Sequence, residues 1–388
     1  YWIGVNDRET DLFEGVWPIP HGISYNSYLV LDDKVALIDA VKGSQMELYQ
    51  AKIDTLLGAG KRLDYLVVNH LEPDHSGLVR YLHDRYPELT IVGNKKTAAF
   101  LSEMYQLDDR IQIVNDGDTL ELGTTTLRFH LTPMLHWPET MMTYAEPDKV
   151  LFAGDAFGSY GALDGGIFDD EVDLKHYEHE ALRYFANIVG KYSRMVQKAL
   201  GKLADLDVSV IASTHGPVWR TSPQTIIDMY DRFSRQQPDG GVVIAYASMY
   251  QNTKHMAEQV ARSLKTNGVN NIMIHDLSRS HVSFVLRDVW KCSALILGTP
   301  TYDAGIFPPV RNLLAYLESK KVAPRPMGVF GTYGWSGGGV SGLRDFAGKN
   351  KWQLVEPTAE ACFAPDAESL GNCAKLAANI ATAVQKNA

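Results

Sequence analysis

Two α/β units joined by a short linker are what the sequence predicts, and three observations carry that prediction. Residues 1–238 read as β-hairpins interleaved with helices, which implies sheets covered by outer helices rather than a simple parallel array. Residues 239–388 alternate strand and helix five times, the pattern of a doubly wound parallel sheet. Between them, Ser234-Arg235-Gln236-Gln237-Pro238-Asp239-Gly240-Gly241 is polar and carries proline and glycine, the composition of a linker. A chain of 388 residues also exceeds what one ordinary core accommodates.

Composition narrows the class. With 45% hydrophobic and 21% charged residues the chain falls in the ordinary globular range. No apolar run nears the roughly 18 residues that cross a bilayer. The N-terminus lacks the basic-then-apolar pattern of a secretion signal, so no membrane partner and a cytoplasmic location are expected. A net charge of −9 without a long basic run argues against nucleic acid as a partner. Cys292, Cys362 and Cys373 form no Cys-x-x-Cys pair. Such sparse thiols suit a reducing compartment and exclude a four-cysteine iron module within these residues.

The first unit opens with a predicted hairpin, residues 23–31 and 35–39 around Asp32-Asp33-Lys34. A helix is expected over 45–57, ended by Gly58 and Gly60, then a buried strand over 63–68. A short helix over 77–86, a strand over 90–92 and a helix over 97–105 follow. Two more hairpins are expected, 119–122 with 125–131 and 141–144 with 149–152. One long amphipathic helix over 180–206, a strand over 208–212 and a helix over 224–235 complete the unit.

The stretch that carries chemistry is Asn69-His70-Leu71-Glu72-Pro73-Asp74-His75-Ser76-Gly77, directly after the 63–68 strand. Two imidazoles and two carboxylates fall within six residues. Pro73 fixes φ and lacks a backbone donor, so the expectation is an irregular loop rather than a helical His-Glu-x-x-His face. Such a loop aims alternate side chains at one point. Three further candidate ligands stand at later strand ends: His136 before Trp137-Pro138-Glu139, Asp155 after Val150–Gly154, and His215 after Val210–Thr214. Singly these are weak signals; their order after a His-x-Glu-x-Asp-His loop makes them specific.

That order resembles the metallo-β-lactamase-like fold, and in particular the flavodiiron proteins. The fold so implied is an αββα sandwich. Hydrolases of this fold usually carry His-x-His-x-Asp-His and bind zinc, whereas here Glu72 replaces the second histidine. Carboxylates are hard anionic donors that suit ferric iron and bridge metals. The resemblance implies two non-haem irons, with His70, Glu72 and His136 on one. Asp74, His75 and His215 would face the other, and Asp155 would bridge them. His21, just before the first hairpin, is expected to hydrogen-bond beside the metals. Tyr184 resembles a family tyrosine whose hydroxyl enters the di-iron pocket.

In the second unit, strands are expected at 242–247, 271–275, 294–298, 326–330 and 354–356. Helices are expected near 253–266, 282–290, 309–319, 340–348 and 368–385. After the first strand, Ser248-Met249-Tyr250-Gln251-Asn252-Thr253 offers hydroxyls, an amide and free N–H groups at a helix N-terminus, a phosphate cradle. It resembles the FMN-phosphate loop of flavodoxins, with Gln251 where glycine is usual. After the third and fourth strands come Pro300-Thr301-Tyr302-Asp303 and Thr332-Tyr333-Gly334-Trp335-Ser336-Gly337. They match the places where flavodoxin-like domains hold the isoalloxazine ring. Tyr302 and Trp335 supply flat faces, and the glycines let backbone approach.

Two redox units on one chain imply a reductase: oxygen to water, nitric oxide to nitrous oxide, or both, with FMN relaying electrons. The resemblance further implies an external electron donor, rubredoxin or a reduced deazaflavin. It also implies a head-to-tail homodimer or a dimer of dimers. The competing readings are a metallo-β-lactamase-fold hydrolase with a fused flavodoxin domain, and an electron carrier with a vestigial metal site.

Overall fold

The computed structural model describes residues 1–58 and 60–386. The chain divides into two compact units, Tyr1–Arg235 and Gln236–Ala388. The division precedes the expected one after Pro238 because Gln236 is already fastened to the second unit. Its side chain donates to the Lys321 carbonyl at 2.9 Å and accepts from the Ala323 N–H at 2.6 Å.

The first unit holds two five-stranded sheets. One runs Tyr28–Leu31, Val35–Ile38, Tyr65–Val67, Thr90–Gly93, Ile111–Ile113; the other runs Thr119–Glu121, Thr126–Leu131, Met141–Glu146, Val150–Gly154, Val210–Ser213. Alternate residues of both, such as Ala36 and Ile38 from one and Leu127 and Phe129 from the other, enter one shared core. Helices cover the outer faces; Met46–Leu57, for example, buries Tyr49, Ile53 and Leu57, one turn apart. The ligand-bearing loops leave strand ends of both sheets, so the sandwich itself brings them to one edge.

Three expectations for this unit change. The predicted strand over 23–31 breaks at Asn26-Ser27: Ile23–Tyr25 pairs with Val5–Asp7, and Tyr28–Leu31 joins the larger sheet. Asn26 is consumed at the break, donating to the Ser213 and Gly216 carbonyls at 3.0 and 2.8 Å. The motif contains a one-turn helix, Pro73–Ser76, where only loop was expected; Pro73 is its first residue, where a missing N–H costs nothing. The long helix over 180–206 is interrupted. Leu174–Tyr184 passes through a π-helical turn, Phe185–Val189, and a 3-10 turn, Gly190–Tyr192, into Ser193–Leu203. A π turn adds a residue without breaking the apolar run, so hydrophobic periodicity does not register it.

In the second unit the parallel order is Ile272–Asp276, Val242–Tyr246, Ala294–Tyr302, Pro326–Tyr333, Gln353–Leu354. The chain therefore reverses direction of winding between Val242–Tyr246 and Ala294–Tyr302, and ligands of such sheets bind beyond the strand ends at that switch. The expected strand over 354–356 is cut short, since Pro357 cannot donate to the ladder. Pairing resumes in a strand the sequence reading missed, Ala359–Cys362 beside Phe330–Tyr333. Among the described residues, no helix is long and apolar enough to cross a membrane.

Candidate metal centre and cofactor pocket

Seven predicted ligands converge in two groups. His70, Glu72, His136 and Asp155 form one and Asp74, His75 and His215 the other, the ligand atoms within each lying within 4.8 Å of one another. Asp155 connects them. Its Oδ2 lies 3.0 Å from His136 Nε2 and 3.6 Å from His70 Nε2. Its Oδ1 lies 2.9 Å from His75 Nε2 and 3.7 Å from His215 Nε2. Glu72 Oε2 closes the first group at 3.0 Å from His136 and 3.3 Å from His70. Asp74 Oδ2 closes the second at 3.3 Å from both His75 and His215. One carboxylate divided between two donor sets is the arrangement of a bridged metal pair.

The donors fit hard cations rather than one another. Both Asp74 oxygens and the Nε2 atoms of His75 and His215 are buried without a hydrogen-bond partner. Orphaned buried polar atoms are costly, and a metal ion satisfies all of them at once. Burial would lower the His70 imidazole, but Glu139, Glu72 and Asp155 outweigh it and raise it well above its ordinary value. Burial is likewise outweighed at His75 by Asp74 and Asp155, and at His136 by Asp155 and Glu72; each is raised to about 9. Burial would raise Asp155, yet His75 and His136 hold it well below the carboxylate range. These opposite shifts show how closely the imidazoles and carboxylates face one another across the site.

Outer groups fix the ligands' aim. His215 Nδ1 donates to the Ser24 carbonyl at 2.7 Å, which leaves Nε2 as the free lone pair. Glu139, fully enclosed, lies 2.8 Å from His70 Nδ1 and accepts from the Leu71 N–H at 3.0 Å. Thr214 Oγ1 donates to Asp155 Oδ1 at 2.7 Å. Asp39 accepts from the Asn69 and His70 N–H groups at 2.7 and 3.3 Å, pinning the start of the motif; burial pushes its carboxyl up to about 6 against those hydrogen bonds. The sequence reading singled out none of these four. Glu139 closes the stretch His136-Trp137-Pro138-Glu139 and Asp39 ends the predicted strand over 35–39, and those places were the available signal.

Tyr184 reaches the centre: it is completely buried, its ring 5.6 Å from that of His215, its hydroxyl without a partner. His21 does not reach it. It is exposed in a turn ahead of Ile23–Tyr25, its ring 4.8 Å from His176, which corrects the expectation of a place beside the metals. The left-handed φ of 67° at Gly22 turns the chain there. The hairpin Leu12–Phe13 with Trp17–Pro18 covers the centre instead. Phe13 packs edge-on against His215 at 5.4 Å, and a cavity of about 320 Å³ lies between this hairpin and Glu72 and Asp74.

In the second unit a cavity of about 500 Å³ opens at the switch point. Met249, Tyr250, Asn252, Pro300, Thr301, Tyr302, Asp303, Thr332, Tyr333, Gly334 and Trp335 line it as expected, together with Ala304, Ser336 and Phe363. Phe363 was missed because the strand that delivers it was missed. Four expected residues stand behind the lining. Thr253 Oγ1 bonds Thr332 Oγ1 at 2.9 Å, Gly337 lies beside Glu360, and Gln251 takes a left-handed φ of 71° just ahead of helix Asn252–Thr266. Ser248 Oγ is buried without a partner at that helix N-terminus, as an oxygen awaiting a phosphate would be.

Fold and site together define a metallo-β-lactamase-like oxidoreductase domain carrying two metals, followed by a flavodoxin. Residues 23–216 match the ODP family beta lactamase and residues 244–381 match Flavodoxin. The nitric oxide reductase of Moorella thermoacetica is 33% identical over 389 residues, covering 99% of this chain and 97% of the relative. The solved rubredoxin oxygen:oxidoreductase of Desulfovibrio gigas superposes with a TM-score of 0.94 at 29% identity, over 100% and 97% of the two chains. The flavodiiron protein of Giardia intestinalis superposes at 0.95 with 28% identity, over 100% and 96%. The chain belongs to the flavodiiron protein family, whose cofactors are FMN and a non-haem di-iron centre.

Proposed function

We propose that this protein reduces oxygen to water, nitric oxide to nitrous oxide, or both, drawing electrons through FMN from an external donor. The observation that carries the reading is the Asp155 carboxylate, one oxygen facing each of two all-nitrogen-and-oxygen donor sets. His70, Glu72 and His136 would hold one iron, Asp74, His75 and His215 the other, and Asp155 both. Bound there, each iron would supply one electron and a Lewis-acidic position, and FMN two electrons more. The chain's own residues set the conditions. Glu139 and the Ser24 carbonyl orient imidazoles, Thr214 orients the bridge, and Phe13 packs edge-on against His215. The loops after Val242–Tyr246, Ala294–Tyr302 and Pro326–Tyr333 would hold FMN, with Ser248 and the N-terminus of Asn252–Thr266 at its phosphate.

The name of the Desulfovibrio gigas relative supports rubredoxin as the donor class. A head-to-tail homodimer is the assembly that would set flavin beside iron, and the three free cysteines suit a cytoplasmic setting. The hydrolase reading loses ground to Glu72 and to relatives named for redox reactions. Stopped-flow mixing of the reduced, metal-assayed protein with each gas tests the proposal. Fast flavin reoxidation with two irons and one FMN per chain supports it. Zinc in the site and slow reoxidation with both gases would overturn it.

A further inference from the structure

Tyr160 ends the turn that begins at Asp155, and it is completely buried. Its ring meets Tyr184 edge-on at 5.1 Å and Phe13 edge-on at 5.7 Å, and the Arg183 guanidinium lies over it at 4.3 Å. A buried phenol normally finds a hydrogen-bond partner, because leaving its hydroxyl unpaired in an apolar setting is costly. Neither Tyr160 nor Tyr184 has one. Two adjacent rings with orphaned hydroxyls share one place beside the metal ligands.

The ring contacts locate that place. The Phe13 ring meets both tyrosines, at 5.7 and 6.3 Å, and lies 5.4 Å from His215, while the Tyr184 ring lies 5.6 Å from His215. The two phenols therefore stand on the side of the centre that Phe13 covers, with the carboxylates of Glu14, Glu180 and Glu72 in the surroundings of Tyr160. Arg183 is a donor already committed to Glu180, at 2.8 and 2.5 Å, and to the Pro18 carbonyl at 2.8 Å; it offers Tyr160 no acceptor. A phenol needs an acceptor, and an oxygen or nitrogen atom held at the centre is one.

We propose that Tyr160 is a second hydroxyl of the substrate pocket, donating a hydrogen bond, beside Tyr184, to the small ligand held at the Asp155-bridged centre. The inference rests on the diatomic-reductase reading and adds to it a pocket with two neutral donors set against the apolar ring of Phe13. Nothing in the sequence marks Tyr160, because the turn Asp155-Ala156-Phe157-Gly158-Ser159-Tyr160 has no periodicity that would aim it.

Azide, a small anion that accepts hydrogen bonds, is the probe, added to oxidised protein loaded with two irons and one FMN. In Tyr160→Phe the azide affinity should fall about tenfold, the effect of one lost hydrogen bond. The shift of the azide infrared band between H2O and D2O should shrink with it, and Tyr184→Phe should act in the same direction. Wild-type affinity and an unchanged isotope shift in a fully iron-loaded Tyr160→Phe would overturn the proposal. Should that variant lose iron, the unmutated protein crystallised with azide decides. Tyr160 Oη about 3 Å from azide, or from a water touching it, supports the proposal; Oη bonded only to Glu14 or Glu180 overturns it. Slow reoxidation of the wild type by both gases would sink the reductase reading separately, while the azide comparison would still report on Tyr160.

Discussion

Asp155 shows what a single side chain does here. Its two oxygens face different donor sets, so its substitution would take a donor from both at once. Asp155→Asn should lower iron affinity by more than about 100-fold, the upper range for perturbing such a site. Iron retained per chain after dialysis against a chelator measures it, and two tightly held irons would refute the bridging role. Glu139 acts one bond further out, through His70 Nδ1. Glu139→Gln keeps the shape but weakens the aim, and about a 10- to 100-fold loss of affinity is expected in the same assay. An unchanged value would mean that the His70 ring is held by packing alone. Both residues stand in the linear sequence as ordinary carboxylates. The spacing of the first motif made Asp155 legible; no spacing rule reached Glu139.

At the scale of elements, the second unit depends on a buried polar junction between a strand and a helix. His275, on Ile272–Asp276, lies 2.7 Å from Asp288, on Val282–Lys291, and Arg287 adds contacts at 2.8 and 3.2 Å. Burial would raise the Asp288 carboxyl, but the His275 and Arg287 hydrogen bonds more than offset it and hold it below its ordinary value. A lowered folded-state value means that the contribution is complete above the ordinary aspartate range of about 3.9 and is lost as pH falls through the lowered value. Asp288→Asn should therefore cost about 3 kcal/mol at pH 7, the scale of breaking a buried pair. Its deficit in urea midpoint should shrink steadily below pH 4. A deficit independent of pH would show that packing, not charge, holds the junction. The π turn Phe185–Val189 is the contrasting case in the first unit: an element that periodicity read as continuous helix, and that begins directly after Tyr184.

At the scale of the molecule, two compact units with separate cores imply two separable stabilities. Calorimetry should resolve two transitions. Removing iron should lower only one, and adding FMN should raise only the other, by the linkage of each ligand to its own folded unit. A single transition moved by either ligand would mean that the units unfold together. The sequence by itself determined the class of both units and picked out the seven side chains that the fold gathers into two donor groups. Strand periodicity and short-range spacing are local properties, and the ligands sit on loops immediately after strands. Tertiary structure decided the rest. Tertiary packing brought Glu139 and Phe13 to ligands far away in sequence and Tyr160 to Tyr184, and the turn at Gly22 carried His21 outward. Pairing resumed beyond Pro357 to place Phe363 at the flavin pocket. Such contacts follow from how two sheets pack and where a chain turns between them, and no local pattern of residues encodes that geometry.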